Sequence, residues 1–170
     1  GVRLVGSEMC IRDRANRDLH SGMYGGLATN PIHVLSNILS LLYDKDGRIT
    51  LEGFYDDVPE LSNEQKEQWE SLNFDAKEFL SNVGLSNIIG EKDYSPLEKI
   101  WSRPTCEVNG IWGGYTEPGF KTVLPSEASA KVSFRLVGKQ DPNKVLKSFR
   151  NHVSKNCLLY TSPSPRDVHL

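Results

Sequence analysis

One histidine stands in a turn that reads RDLHSGMYGG from Arg17 to Gly26, and its side chain, His20, is the first group in the chain placed to do chemistry. An imidazole there can act as general acid or base, ligate a metal, donate a hydrogen bond to an oxyanion, or simply bond the backbone of its own turn. Asp18 could fix the ring, Ser21 and Gly22 favour a sharp turn, and Gly25 and Gly26 let a ligand or neighbouring backbone come close. Zinc is poorly served, because neither His33 nor His152 lies at the short spacing of a zinc pair. Arg135 is the second candidate: its guanidinium is either ordinary surface charge or a fork suited to gripping a carboxylate at two points. Thr122, at the start of the preceding strand, could add a hydroxyl to the same cleft. Asp44 and Asp46 before Gly47 resemble a calcium loop only in outline, since the other ligands are missing at their spacings, and the stretch is read as a turn.

Composition narrows what these residues can serve. At 170 residues, with 38% hydrophobic, 25% charged and 9% aromatic residues, the chain has the size and balance of one globular domain. No apolar run approaches the roughly 20 residues that cross a bilayer, so the membrane is excluded. Twenty basic residues against 22 acidic ones give a net charge of −2 with no basic stripe, which excludes a nucleic-acid backbone as partner.

The two ends stand apart from the middle. LVGSEMCIRDR (Leu4 to Arg14) and CLLYTSPSPRD (Cys157 to Asp167) show neither helical nor strand periodicity. Both resemble translations of a transposase adapter used in shotgun sequencing libraries, and codons for the first, reverse-complemented and read in another frame, give the second. Residues 1–14 and 157–170 are therefore expected to be adapter-derived, leaving residues 15–156 as the natural part. Within that part Cys106 is the only cysteine, so no disulfide framework exists and a reducing, cytoplasmic compartment is favoured.

The elements that must hold the candidate residues can be read from caps and periodicity. Asn30 and Pro31 open a helix whose Ile32, Leu35, Ile38, Leu39 and Leu42 share one face. Ile49 to Tyr55 reads as a short extended piece. Ser62 to Gln65 is a capping box opening a polar helix, Asp75 with Glu78 repeats the signal ahead of Gly84, and SPLE from Ser95 to Glu98 opens a third helix that Pro104 closes. Residues 44–104 thus form a helical insertion on a simpler core. Thr105 to Trp112 is strand-like, GGYTEPGF is a loop, and Lys121 to Leu124 is extended. From Ser129 to Val137 the chain alternates, with Ala130, Val132, Phe134 and Leu136 on one face and Lys131, Ser133 and Arg135 on the other. Asp141 and Pro142 cap a last helix with Val145, Leu146, Phe149 and Val153 as its apolar stripe. With a strand before Arg17 and another after Asn156, both expected to be missing, the order becomes βαββαβ. That is an α+β, ferredoxin-like two-layer fold in which the helices cover one sheet face and Arg135 projects from the other.

RDLHSGMYGG, GFYDDVPELS, LEKIW with its following proline, and KTVLPSEASAKVSFRLVG, taken in this order, resemble the lid, or dimerisation, domain of carnosinase-like dipeptidases. These belong to the zinc metallopeptidase superfamily that also holds succinyl-diaminopimelate desuccinylase and the aminoacylases. The resemblance covers nearly all of Arg17 to Val153, and the long insertion favours the carnosinase-like branch. It implies a homodimer formed through the lid, with His20 reaching into the partner subunit's active site to stabilise an oxyanion. Thr122 and Arg135 are implied to bind a dipeptide substrate, Arg135 at its terminal carboxylate. Two zinc ions and a glutamate base are implied in a separate catalytic domain, whose ligands this chain does not carry, so the fragment alone is expected to be inactive. Two alternatives remain open: an amidohydrolase of the same superfamily acting on N-acyl amino acids, and a stand-alone dimerisation or binding module.

Overall fold

A strand with one apolar face needs a layer of helices against it, and the chain supplies two. The computed structural model describes residues 3–12 and 15–157, together with the backbone of 162–163 and 166–169. In chain order the elements are β1 (Arg3–Arg12), β2 (Leu19–His20), α1 (Ser21–Tyr24), α2 (Pro31–Ser40), α3 (Asn63–Glu70), α4 (Ala76–Ser81) and α5 (Pro96–Trp101). They continue with β3 (Thr105–Gly113), β4 (Val123–Leu124), β5 (Glu127–Leu136), α6 (Pro142–Asn156), β6 (Ser162–Pro163) and β7 (Arg166–His169). The main sheet runs β3-β5-β1-β6, with β7 also on β1, and every pairing is antiparallel. Helices α2 and α6 pack on one face, so the order is that of a βαββαβ ferredoxin-like layer pair; β2 and β4 form a separate two-stranded ladder.

Local chemistry explains the core elements. Asn30 Oδ1 accepts the N–H of Ile32 at 2.9 Å, Pro31 takes the first helical position, and Val34, Leu35 and Ile38 turn inward. At α6, Asp141 Oδ1 accepts the N–H of Asn143, and Val145, Leu146, Phe149 and Val153 are buried. Phe134 of β5 lies between them, its ring 5.4 Å from Phe149 and 6.0 Å from Phe54. Each such apolar side chain taken from water contributes about 1.5–3 kcal/mol before entropy is counted. Gln140, buried, accepts the N–H of Val137 and donates to the carbonyl of Phe54, tying the insertion to the end of β5.

The places of the first and last strands, whose natural residues are expected to be missing, are taken by residues 3–12 and by β6 and β7. Arg3–Arg12 forms β1 at the centre of the sheet and pairs with β5 from Arg3↔Leu136 to Arg12↔Glu127. Its periodicity is strict after all: Val5, Ser7, Met9 and Ile11 point inward and are buried, while their neighbours alternate outward. The polar Ser7 at an inward position hides that pattern in the sequence. Of residues 157–170, the described part is Cys157 and the backbone of β6 and β7, which pairs with the far side of β1.

Residues 44–104 form the helical insertion. Asp44 turns the chain, its Oδ1 accepting the N–H groups of Asp46 and Arg48. Capping boxes at Ser62/Gln65 and Ser95/Glu98 start α3 and α5, whose Trp69 and Trp101 rings meet edge to face at 5.3 Å. Arg103, buried, holds both oxygens of buried Glu91, reaches Glu60 at 3.3 Å and lies 4.1 Å from the Tyr94 ring centre. Ile49 to Tyr55 is not extended: it is a succession of turns, with the N–H of Phe54 bonded to the carbonyl of Leu51, and it buries Ile49, Leu51 and Phe54. Apolar residues with that spacing satisfy a tight turn against a core as well as a strand.

Candidate functional site

His20 is set by the backbone on both sides. Residues 19–20 pair with 123–124, Leu19 opposite Leu124 and His20 opposite Val123, and the N–H of Ser21 bonds the carbonyl of Thr122 at 3.0 Å. The ring then caps the short turn α1, Nδ1 accepting the N–H of Gly22 at 3.1 Å. A nitrogen that accepts an N–H carries no proton, so the proton of the neutral ring is on Nε2. Nε2 in turn donates to Thr122 Oγ1 at 3.1 Å. Gly22 is required for this geometry, because a Cβ there would stand 2.9 Å from the ring carbon Cε1. Gly25 is required for a different contact, a Cβ at its position falling 2.4 Å from the carbonyl oxygen of Ser21. The close approach at Gly25 is therefore to the chain's own turn.

The structure thus brings His20 and Thr122 together, both exposed, at the open end of the β2–β4 ladder. Asp18 does not hold the ring as expected. Its Oδ1 accepts from the N–H and hydroxyl of Ser126, at 2.9 and 3.1 Å, fixing the segment that carries Thr122 rather than the imidazole. Sequence offered no signal for that pair, whose members are 108 positions apart.

Arg135 lies elsewhere. It is exposed on the sheet face away from the helices, opposite Leu4 of β1 and Thr105 of β3, while its neighbours Phe134 and Leu136 are buried on the helix side. It sits at the far end of β5 from Glu127, where the Thr122 segment joins, and eight strand residues span about 26 Å. Among the described residues no hydrogen bond joins Arg135 to Thr122 or His20, whose own bond is to each other. A dipeptide extends only about 7 Å.

Other reactive types are accounted for by packing. The Cys106 thiol is buried, and burial, with a smaller effect from Glu107, pushes it up to about 12, so it carries no thiolate near neutrality. Tyr43 and Tyr55 hydroxyls are also raised, chiefly by burial, and bond backbone groups. Among the described residues no group of His, Cys, Asp and Glu is arranged to hold a metal, and no helix is long and apolar enough to cross a membrane.

Comparison with known proteins bears on this arrangement. Residues 14–161 match the model of a family described as the peptidase dimerisation domain. The chain is 30% identical over 138 residues to the Beta-Ala-His dipeptidase of Rattus norvegicus, a match covering 81% of this chain and 28% of that protein. Among solved structures it is similar to the M20 family metallo-carboxypeptidase Sso-CP2 of Sulfolobus solfataricus, with a TM-score of 0.81 and 34% identity over 99% of this chain and 44% of that one. It is also similar to the di-peptidase Dug1p of Saccharomyces cerevisiae, with a TM-score of 0.84 and 25% identity over 98% and 36%. The chain thus spans less than half the length of each of these relatives.

Proposed function

Since the chain belongs to the peptidase dimerisation domain family, we propose that it is the lid of a metallodipeptidase and serves peptide-bond hydrolysis by supplying residues to a site completed across a homodimer. The observation that carries this reading is the bond from Gly22 N–H to His20 Nδ1. It keeps the ring in the form whose Nε2–H is a donor, at an exposed tip beside a second hydroxyl. A donor fixed in advance where a carbonyl oxygen gains negative charge stabilises the transition state more than the ground state.

The separation of Arg135 from His20 and Thr122 supports a two-copy site. A dipeptide cannot touch both ends of β5, so in this reading one subunit lends His20 and Thr122 while Arg135 of the other grips the substrate's terminal carboxylate. The guanidinium fork suits that task. Zinc is the metal implied by the resemblance to carnosinase-like enzymes, held by a catalytic domain, and the described residues of this chain include no group arranged to hold it. A cytoplasmic setting is the compartment we infer from Cys106 standing alone in residues 15–156, with no disulfide framework there.

In a full-length enzyme carrying this lid, His20→Ala should lower kcat on the order of 10²–10³-fold with metal content unchanged. Steady-state kinetics with metal analysis checks it. Loss of metal in the variant, or unchanged turnover, removes the oxyanion role.

A further inference from the structure

Thr105 and Glu107 of β3 lie on the sheet face that carries Arg135, Thr105 directly opposite Arg135 and Glu107 opposite Ser133. Cys106 between them is buried on the helix side, as the alternation of a strand requires. Glu107 is exposed and is a diagonal neighbour of Arg135, at about 7–8 Å across the ladder. Its carboxylate has no counter-charge within this chain: among the described residues no ion pair involves Glu107, and none involves Arg135. Lys131, further along the same face, turns its ammonium to the Trp112 ring, 5.6 Å from the centroid. Arg103, ahead of β3, is held by both oxygens of Glu91.

Beside this face the insertion leaves a cavity of about 470 Å³. Thr105 and Glu107 line it from the sheet, and Gly47, Ile89, Gly90 and Lys99 from the insertion. Small-molecule sites occupy roughly 300–1,000 Å³, so there is room for one amino-acid side chain. Glu91 and Arg103, which also border the cavity, neutralise each other. Lys99 runs its methylenes along Gly90, where a Cβ would stand 3.4 Å from Lys99 Cδ, and it also lines the neighbouring apolar cavity. The uncompensated negative charge of the lining is therefore at Glu107, on the sheet side.

We propose that this cavity receives the side chain of the substrate's C-terminal residue and that Glu107 selects a cationic one, so that the enzyme carrying this lid favours dipeptides ending in lysine or arginine. The inference rests on the reading of Arg135 as the grip on the terminal carboxylate and adds the chemistry of the residue gripped. A substrate held at Arg135 starts its last side chain beside Thr105. The four-carbon stem of a lysine carries the ammonium about 6 Å from its own backbone, which covers the interval from Arg135 to Glu107. Ile89 and the Tyr43 ring offer apolar surface to the stem while the head reaches the carboxylate. An acidic C-terminal side chain meets Glu107 as a like charge and is rejected.

Kinetics of the full-length enzyme on Ala-Lys, Ala-norleucine and Ala-Glu at one ionic strength test this. Norleucine keeps the stem without the charge, so kcat/KM should be at least about tenfold higher for Ala-Lys than for Ala-norleucine, and lowest for Ala-Glu. Glu107→Gln should bring the ratio of Ala-Lys to Ala-norleucine close to one, and Glu107→Lys should turn the preference toward Ala-Glu. Equal kcat/KM for Ala-Lys and Ala-norleucine in the parent overturns the inference. So does a Glu107→Gln variant that loses both substrates in equal measure, which would make Glu107 a support for Arg135. Neither result touches the carboxylate grip, which is read separately from the KM of Arg135→Lys. An enzyme that cleaves no dipeptide overturns both. If Glu107→Gln fails to fold, the ratio measured on the parent decides.

Discussion

The two nitrogens of His20 have different duties, and a backbone amide assigns them: Gly22 N–H occupies Nδ1, leaving Nε2–H to point at Thr122 Oγ1. The turn residues around His20 are contiguous, so their role could be read from spelling alone. Asp18 could not, because its partner Ser126 arrives from the other side of the fold. Arg135 was legible as an outward residue from the alternation of Ala130, Val132, Phe134 and Leu136, yet its distance from Thr122 depends on strand direction, which spacing does not encode. In a full-length enzyme Arg135→Lys should raise KM for dipeptides while kcat changes little, because a point charge replaces a fork. Kinetics on dipeptides and on their C-terminal amides check this. A KM that does not move argues against carboxylate capture.

Helix starts are the elements most fully written in the sequence, since caps are local: Asn30, Ser62, Asp75, Ser95 and Asp141 each bond an N–H two or three residues on. The clasp of Arg103 with Glu91 and Glu60 was not legible, since nothing in the spacing of charges says which will be buried together. Glu98 of the α5 capping box gives a pH-dependent case. Burial alone would raise its carboxyl, but the backbone N–H and hydroxyl of Ser95, with Lys66, outweigh that and hold it below the ordinary 4.5. A depressed carboxyl stabilises the fold fully above its unfolded value, and that contribution drains away as pH falls below about 4.5 through the folded value. Urea titrations at pH 6 and pH 3.5 should therefore show Glu98→Gln losing less stability on acidification than the parent. Ser95→Ala should cost about 1 kcal/mol at pH 6. Equal acid sensitivity of parent and Glu98→Gln would remove the assignment.

At the scale of the whole molecule the sheet is organised around β1 and β5, and their inward residues meet α2 and α6 in one core. β5 was legible because its inward positions are all apolar; β1 was not, because Ser7 interrupts an otherwise regular Val5, Met9, Ile11 series. Met9 is fully buried in that core, and Met9→Ala should cost about 2–5 kcal/mol, measured by chemical denaturation. A cost below about 1 kcal/mol would mean that β1 is not packed as described.

The pairing of β1 with β5 also fixes an order of events in time. Ile11 is matched to Ala128 and Arg3 to Leu136, so the centre of the sheet joins residues 3–12 to a segment more than a hundred residues later. At about 5–20 residues per second of synthesis, β1 waits roughly 6–25 s for its partner to be made. Throughout that interval Val5, Met9 and Ile11 lack the neighbouring strand and α6, while α2, made soon after β1, and the insertion, whose clasps join residues made close together, can already pack. The nascent chain is therefore most exposed to misassociation until β5 has been made.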